Sequence, residues 1–230
     1  MEYVYHGSKI HNLKTLKPHE STHGNYLYAT PNKIVAILMS KCCGSDITYT
    51  LSGDGNGHYD LVERIPNALD KMYANDASIY TLPSESFIDI HTGFNEVVSK
   101  ESVDVAYEEY IPNLYEKLNE LEENGYINIY YYPDRPNYIP EDDSDLVDKL
   151  KNYVYNEHKT YDVFHYAKWI FAHPNLESKI REIAEYQGVY VPPYDEIKQR
   201  MIEAQEHDPS HELFIDSSIL MYDLLQSKRR

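Results

Sequence analysis

Two short segments near the N-terminus carry side chains that are suited to chemistry. In the first segment, an apolar strand ends in His6-Gly7-Ser8. In the second, residues 25–31, another strand brings Tyr28 to its end just before a helix signal. Either segment alone is typical of scaffold, although a strand end is also a rigid position from which a side chain can be aimed at a ligand. Their order makes His6 and Tyr28 candidates for one site.

These segments, with a third around Glu96, resemble the His-Tyr-Glu class of ADP-ribosyltransferase-like folds. That class includes the catalytic domain of the poly(ADP-ribose) polymerases and its small bacterial relatives. Residues 6–8 match its His-Gly-Ser motif, residues 28–29 match the Tyr that closes its second motif, and residues 95–98 resemble its Asn-Glu-hydrophobic segment. The resemblance covers roughly residues 1–112 and implies the fold of that class.

The resemblance implies an enzyme that cleaves NAD and transfers ADP-ribose to an acceptor or to water. Breaking the N-glycosidic bond passes through an oxocarbenium-like ribose, which Glu96 would stabilise while it binds the 2′-hydroxyl. His6 would hold the adenosine ribose, Gly7 would bind the nicotinamide amide through its backbone, and Tyr28 would pack on the nicotinamide ring. The implied catalytic residues are Glu96, His6 and Tyr28. The implied NAD-binding residues are His6, Gly7, Ser8, Tyr28 and Lys9, and no metal is implied.

The helix that follows Tyr28 departs from the family pattern. The polymerases place a Ser and a second Tyr there to bind nicotinamide, whereas this chain has Ala36 and Met39, with Ser40 out of register. The nicotinamide ring would therefore lack its second stacking face.

Two further departures narrow the expected activity. Phe94 stands two residues before Glu96, where arginine-modifying relatives carry Glu or Gln, so modification of protein arginine is not expected. The first Arg of the chain is Arg64, whereas the toxin-like and the RNA 2′-phosphotransferase branches need an early Arg. The acceptor of ADP-ribose stays open between protein, nucleic-acid end, small molecule and water.

The strand and helix signals predict an α+β fold. We expect a split mixed or antiparallel β-sheet domain of the ADP-ribosyltransferase type over residues 1–125, a linker or extension over 126–145, and a helical region over 146–230. Within the linker, the acidic run 141–145 is expected to be solvated. Apolar residues at helical spacing, followed by a Gly stop, indicate a helix near residues 176–188.

The formal charge of the chain is −17 over 230 residues. Such a charge repels phosphate backbones, so bulk nucleic-acid binding is not expected. Residues 9–41 differ from the rest of the chain, because they contain five Lys and a single acid, Glu20. Their basic residues are Lys9, Lys14, Lys17, Lys33 and Lys41, with His11, His19 and His23. This cluster either binds the pyrophosphate of NAD or is a chance group of solvated lysines.

The only cysteines, Cys42 and Cys43, are adjacent, which makes a mutual disulfide geometrically poor. A reducing compartment is therefore the default expectation. The sequence shows neither a signal-peptide pattern nor an apolar run of membrane-spanning length. We expect a cytoplasmic protein of bacterial or phage type with no membrane contact.

Two alternatives to the enzyme remain at this stage. The first is a catalytically silent member of the fold, a binding module whose helical region would dock a protein partner. The second, more distant, rests on His207-Asp208, which is similar to the metal-binding pair of His-Asp phosphohydrolases. Because Pro209 follows, a helix boundary is the preferred interpretation of that dipeptide.

Overall fold

A computed structural model describes residues 2–21, 24–91 and 95–193, together with residues 195, 196, 199 and 203. The fold is α+β with several antiparallel sheets, which confirms the predicted class at this level. Chain packing separates two units. Unit 1 comprises Met1–Cys42, Ser52–Asp60 and Asp70–Asn128. Unit 2 comprises Cys43–Leu51, Leu61–Leu69 and Ile129–Arg230.

The secondary-structure elements alternate along the chain. The strands are β1 (Tyr3–Ser8), β2 (Thr15–Leu16), β3 (His19–Ser21), β4 (Gly24–Ala29), β5 (Tyr49–Gly53), β6 (Tyr59–Glu63), β7 (Ala77–Pro83), β8 (Val97–Ser99), β9 (Val103–Asp104), β10 (Tyr107–Ile111) and β11 (Ile127–Tyr130). The helices are α1 (Lys33–Leu38), α2 (Ala68–Met72), α3 (Leu114–Glu123), α4 (Ser144–Lys151), α5 (Val163–Ala172) and α6 (Glu177–Tyr186).

Unit 1 contains two three-stranded antiparallel sheets that position the predicted site. One sheet has the order β1-β7-β10, and His6 on β1 lies opposite Tyr80 on β7. The other has the order β3-β4-β8, and Tyr28 on β4 lies opposite Val98 on β8. Alternate residues of the strands face a shared apolar core. That core includes Val4, Leu16, Leu27, Ala29, Tyr80, Leu82 and Val103.

Helix α1 begins two residues later than the sequence indicates. The Thr30-Pro31 pair predicts an N-cap at Thr30, but the N-cap is Asn32, whose side chain accepts the backbone N–H of Ile34 at 2.9 Å. Thr30 is extended instead, because its backbone pairs with Tyr5. The predicted helix start is therefore wrong, because the strand bridge between Thr30 and Tyr5 keeps Thr30 extended.

Other boundaries differ in detail. Three glycines within residues 53–57, between two strand-like runs, predict a hairpin, which β5 and β6 confirm. The helix that the sequence predicts over residues 114–123 has the same bounds as α3. The polar residues 9–25 predict a loop, but they contain the short strands β2 and β3. Residues 87–90 predict a strand, but this segment contributes one bridge, from Ile88 to Val98.

Unit 2 is mainly helical between residues 144 and 186. Helix α4 continues into a π-helical turn, Asn152–Asn156, and a 3₁₀ turn, Pro174–Leu176, joins α5 to α6. The predicted stripe is confirmed, since Leu176, Ile180 and Ile183 are buried. Gly188, just after α6, has a φ of 71°, as expected of a helix stop. The apolar spacing also predicts helices over residues 197–204 and 213–224; residues 199 and 203 are described and helical, whereas residues 213–224 and His207-Asp208 fall outside the described residues.

The acidic run at 141–145 is not simply solvated. Asp143 is buried at 6 % exposure and accepts hydrogen bonds from Arg64 at 2.9 Å and from Arg135 at 2.7 Å. Asp145 also pairs with Arg64, and His173 Nδ1 lies 3.2 Å from Asp143. The prediction is therefore wrong for these two acids, which neutralise a buried Arg within unit 2, while Glu141 and Asp142 are exposed as expected.

Candidate functional site

The two sheets of unit 1 meet at one backbone bridge. Tyr5 N–H donates to Thr30 O at 2.7 Å, and Thr30 N–H donates to Tyr5 O at 2.9 Å. In the described part of the chain this is an isolated bridge, so the ladder between β1 and β4 does not continue. Because alternate residues of a strand direct their backbone groups to the same side, the N–H and C=O of Gly7 are on the side of β1 that faces β4. We refer to the region between the two strands beyond the bridge, where His6, Gly7 and Tyr28 lie, as the β1–β4 gap.

His6 contacts β4 directly across this gap. Its Nδ1 lies 2.7 Å from the carbonyl oxygen of Tyr28, and therefore Nδ1 carries the proton and donates it. Burial lowers the pKa of His6 below its ordinary value, although the Tyr28 carbonyl opposes the shift. The neutral ring then has no proton on Nε2, so this nitrogen can accept a hydrogen bond.

Tyr28 contributes both its backbone and its ring. The carbonyl receives His6, and the hydroxyl donates to Gly24 O at 3.2 Å, which fixes the ring along its own strand. The ring is half-buried and lies edge-on to Tyr26 with centroids 6.1 Å apart. Tyr28 is therefore a rigid aromatic surface beside the gap, as packing on a planar ligand requires.

Glu96 lies immediately before β8. The β4–β8 register pairs Tyr28 with Val98 and Ala29 with Val97, so Glu96 directly precedes the last residue pair of this ladder. Glu96 is half-buried.

Gly7 is required by helix packing as well as by any ligand. A Cβ at this position would overlap Ser40 Oγ and the carbonyl oxygen of Ala36. Ser40 is buried, and its hydroxyl donates to Ala36 O at 2.7 Å. The sequence pattern pointed to close ligand approach at Gly7, whereas the close approach in the structure is made by α1. Sequence reasoning placed Ser40 out of register, yet its hydroxyl lies beside Gly7.

Ser8 and Lys9 follow at the end of β1. Ser8 Oγ accepts the backbone N–H of Ile10 at 3.0 Å, which turns the chain away from the strand. Lys9 Nζ donates to Cys42 O at 3.4 Å. Ser8 is the last residue of β1, and Lys9 directly follows it.

The basic cluster is only partly available to an anion. Lys33 forms an ion pair with Glu109, which weakens the attraction of this lysine for a phosphate. His11 is directed at Ser78 and Asp76 on the β7 side. His19 is exposed, its ring centroid 6.0 Å from that of Tyr28. Lys14 and Lys17 are exposed, and His23 lies outside the described residues.

Unit 2 has a second feature with unusual chemistry, at the start of α5. The rings of Tyr161 and His165 stack with centroids 3.6 Å apart, beside a shallow cavity that Thr160 and Asp162 also line. His165 Nε2 is buried without a hydrogen-bond partner. Burial, assisted by Lys168, lowers the pKa of His165 to about 4, so the ring is neutral at pH 7.

A metal centre is not supported by the described part of the chain. Over residues 2–21, 24–91 and 95–193, no group of three His, Cys, Asp or Glu side chains is arranged to hold an ion. The His-Asp alternative at 207–208 falls outside these ranges. Among the described helices, none is both long and apolar enough to cross a bilayer.

Comparison with known proteins gives no further guide. No family model, no curated protein and no solved structure matches the chain. The resemblance to the polymerase-type domains rests on the sequence of residues 6–8, 28–29 and 95–98. His6, Gly7 and Tyr28 meet at one gap, and Glu96 directly precedes β8, the strand that pairs with β4.

Proposed function

We propose that the protein is an NAD-cleaving ADP-ribosyltransferase, or an NAD glycohydrolase, whose site is the β1–β4 gap. The observation that carries this proposal is the 2.7 Å hydrogen bond from His6 to the carbonyl of Tyr28. Glu96 directly precedes β8, the strand that pairs with β4, and this order along the sheet supports the proposal. His6, Tyr28 and Glu96 each have the chemical type that the reaction requires.

The reaction would proceed by dissociation of nicotinamide. The bond between ribose C1′ and the nicotinamide nitrogen breaks, and its electron pair stays with nicotinamide, which leaves uncharged. The ribose becomes oxocarbenium-like, and the Glu96 carboxylate stabilises it and binds the 2′-hydroxyl. An acceptor oxygen or nitrogen, or water, then bonds to C1′ and loses its proton.

The remaining contacts would hold the substrate. His6 Nε2 accepts a hydroxyl of the adenosine ribose, because Nδ1 is already committed to Tyr28. The N–H and C=O of Gly7 face the gap and bind the nicotinamide amide. Tyr28 packs on the nicotinamide ring. Lys9, which directly follows β1, neutralises part of the pyrophosphate.

A second candidate is a silent nucleotide-binding module on the same fold. Met39 favours it, because this residue is 41 % exposed where the polymerases place a second aromatic ring. The site would then bind NAD weakly and leave it intact. In that case the helical unit would carry the function by binding a protein partner.

Nicotinamide release from NAD by the purified protein tests the proposal. Glu96→Gln keeps the shape and removes the charge, and we expect release to fall at least about 100-fold. Glu101→Gln, an exposed acid five residues on, is the matched control and should retain full release. His6→Asn retains a donor for Tyr28 O but lacks Nε2, so it should raise KM for NAD while the protein stays folded.

The outcomes separate the two candidates. Release that is lost only in Glu96→Gln supports the enzyme and makes the acceptor the next question. NAD binding seen as a thermal shift, without release under any acceptor tested, supports the silent module. If the protein neither releases nicotinamide nor binds NAD, both candidate functions are rejected.

A further inference from the structure

The face of β4 that points away from the core of unit 1 carries a group of aromatic rings. Tyr26 and Tyr28 alternate along the strand with the buried Leu27 and Ala29, so both tyrosines lie on this face. The Tyr26 ring lies edge-on to that of Tyr28, with centroids 6.1 Å apart. His19 on β3 pairs with Tyr26, and its ring lies 6.0 Å from that of Tyr28. The three rings form one continuous surface.

Gly24 holds the two tyrosine rings in place. Its carbonyl oxygen accepts the Tyr28 hydroxyl at 3.2 Å. A Cβ at this position would lie 3.0 Å from Tyr26 Cε2, so the Tyr26 ring packs directly against the backbone of its own strand. Both rings are half-buried. They are therefore positioned before a ligand arrives, which lowers the entropic cost of binding.

Lys100 adds a positive charge to these rings. It directly follows β8, and its Nζ lies 5.8 Å from the centre of the Tyr26 ring. The side chain is exposed, and among the described residues no carboxylate forms an ion pair with it. Its charge is therefore available to an anion. We term the group of His19, Tyr26, Tyr28 and Lys100 the β4 surface.

The β4 surface adjoins the β1–β4 gap. Tyr28 belongs to both, since its carbonyl oxygen accepts the hydrogen bond from His6. His19 is also close to His6. Burial is the main cause of the lowered pKa of His6, and the charge of His19 lowers this pKa further. A ligand on the β4 surface would therefore lie beside a ligand of His6.

The chemistry of the β4 surface fits a nucleotide. Nucleobases stack on aromatic side chains, and a Lys binds phosphate as a point charge. An apolar ligand would make no use of Lys100, and an organic cation would be repelled by it. The formal charge of −17 repels a long phosphate backbone, so a single nucleotide fits this protein better than a strand bound along its length.

We infer that the β4 surface binds one nucleotide, with the base on the rings of His19 and Tyr26 and the phosphate on Lys100. Two sources share this chemistry, namely the adenylate half of NAD and the terminal nucleotide of an acceptor strand. The part that this nucleotide plays in catalysis rests on the proposed function. The binding itself does not.

Equilibrium binding of radiolabelled AMP and of a fluorescent single-stranded hexanucleotide to the full chain at low salt tests the inference. Tyr26→Leu removes the ring and should weaken binding of both probes about tenfold, whereas Tyr26→Phe should retain it. Lys100→Gln should weaken binding about fivefold. It should also lower the salt dependence of hexanucleotide binding by about one charge, which a loss of packing would not do.

Two matched substitutions control for general effects of residue type. Tyr107→Leu removes an exposed ring from β10, in the other sheet, and Lys151→Gln removes an exposed charge at the end of α4. Both variants should retain the wild-type affinity for each probe. Far-UV circular dichroism checks that every variant is folded. Because Lys100 is exposed, its substitution tests the surface even if Tyr26→Leu does not fold.

Competition with NAD, measured in Glu96→Gln so that NAD is not consumed, separates the two sources. If NAD displaces both probes, the β4 surface is part of the NAD site. If the hexanucleotide stays bound at saturating NAD, the surface serves the acceptor. Either result supports nucleotide binding.

Two results would overturn the inference. One is that neither probe binds the wild type, and the other is that Tyr26→Leu and Lys100→Gln bind both probes as the wild type does. If binding depends on Tyr26 and Lys100 but no nicotinamide is released, the proposed function alone is rejected. If nicotinamide is released but binding is the same in all variants, the inference alone is rejected.

Discussion

Tyr5 and Thr30 exchange two backbone hydrogen bonds, and beyond them β1 and β4 part. The bridge fixes the distance between the strands, so His6 can reach the carbonyl of Tyr28 while the backbone of Gly7 stays open to the gap. A complete ladder would have used the Gly7 N–H and C=O for strand pairing. The opening therefore depends on the ladder ending where it does.

Gly7→Ala is expected to destabilise unit 1. The new Cβ would overlap Ser40 Oγ and the Ala36 carbonyl, and overpacking of this kind costs about 1–3 kcal/mol. Urea unfolding followed by far-UV circular dichroism measures the change. Adding Ser40→Ala should recover only part of the loss, because the backbone carbonyl of Ala36 remains. An unchanged unfolding midpoint in Gly7→Ala would contradict the packing of α1 described above.

The basic residues around the site should differ in their effect on NAD binding. Lys9→Gln removes a cation that directly follows β1, and we expect KM for NAD to rise about tenfold, as for one charge-assisted hydrogen bond. Lys33→Gln removes a charge already paired with Glu109, so KM should change less than about twofold and stability by less than about 1 kcal/mol. Steady-state nicotinamide release measures both. Equal effects of the two substitutions would argue against Lys9 as a phosphate ligand.

Acid should weaken unit 2 through Asp143. Burial alone would raise the pKa of Asp143, but His173 and Arg135 outweigh it and hold the pKa at about 2, below its ordinary 3.8. A lowered pKa contributes stability that is complete above pH 4 and is lost as the pH falls toward 2. The loss amounts to about 2 kcal/mol.

Asp143→Asn should remove this loss of stability between pH 4 and pH 2. It should also lower stability at pH 7 by about 3–5 kcal/mol, because Arg64 and Arg135 lose a buried counter-charge. Fluorescence of Trp169, the single Trp of the chain, reports on this unit. Glu141→Gln, at an exposed neighbouring position, should leave the curve unchanged. If Asp143→Asn lost as much stability between pH 4 and pH 2 as the wild type, another group would cause the acid sensitivity.

His165→Phe is expected to stabilise the protein. Phe retains the stack on Tyr161 and removes a buried nitrogen without a partner, a gain of about 1 kcal/mol at pH 7. The pKa of His165 is lowered to about 4 by burial, so the wild type loses stability as the pH falls from 6.5 to 4, when the unfolded chain binds a proton that the folded chain does not. The advantage of Phe should therefore grow by about 3 kcal/mol, to about 4 kcal/mol at pH 4.

A second substitution separates the two effects at position 165. His165→Gln does not titrate but keeps a polar atom, so it should remove the pH dependence without the gain at pH 7. Urea unfolding at pH 7 and pH 5 distinguishes the variants. Destabilisation by Phe at both pH values would show that Nε2 has a partner in solution.

Local signals predicted much of unit 1. The alternation around Val4 and His6, and the helix signals over residues 114–123, are complete within a few neighbouring residues, so the sequence specifies β1 and α3. The start of α1 was harder, since Thr30 and Asn32 are both good N-caps and only the bridge to Tyr5 decides between them.

Interactions between distant parts of the chain could not be predicted in this way. Arg64 and Asp143 are 79 residues apart, and neither has a local pattern that reveals its partner. Asp143 stands in a run of acids that is typical of solvated linker, so composition pointed to the wrong environment. Ser40 beside Gly7 was missed for a related reason, because motif spacing does not report how a helix packs on a strand.

The order in which unit 2 is assembled from the chain has a consequence for synthesis on the ribosome. His173 Nε2 donates to the carbonyl of Ile47 at 2.8 Å, across 126 residues. At about 5–20 residues per second, Ile47 and Arg64 are made many seconds before Asp143 and His173. The early segments of this unit therefore lack their partners for this time, and Arg64 is still solvated by water. Unit 2 can reach its native state only late in translation. A nascent chain halted near residue 130 would lack every acid that Arg64 pairs with in the finished fold.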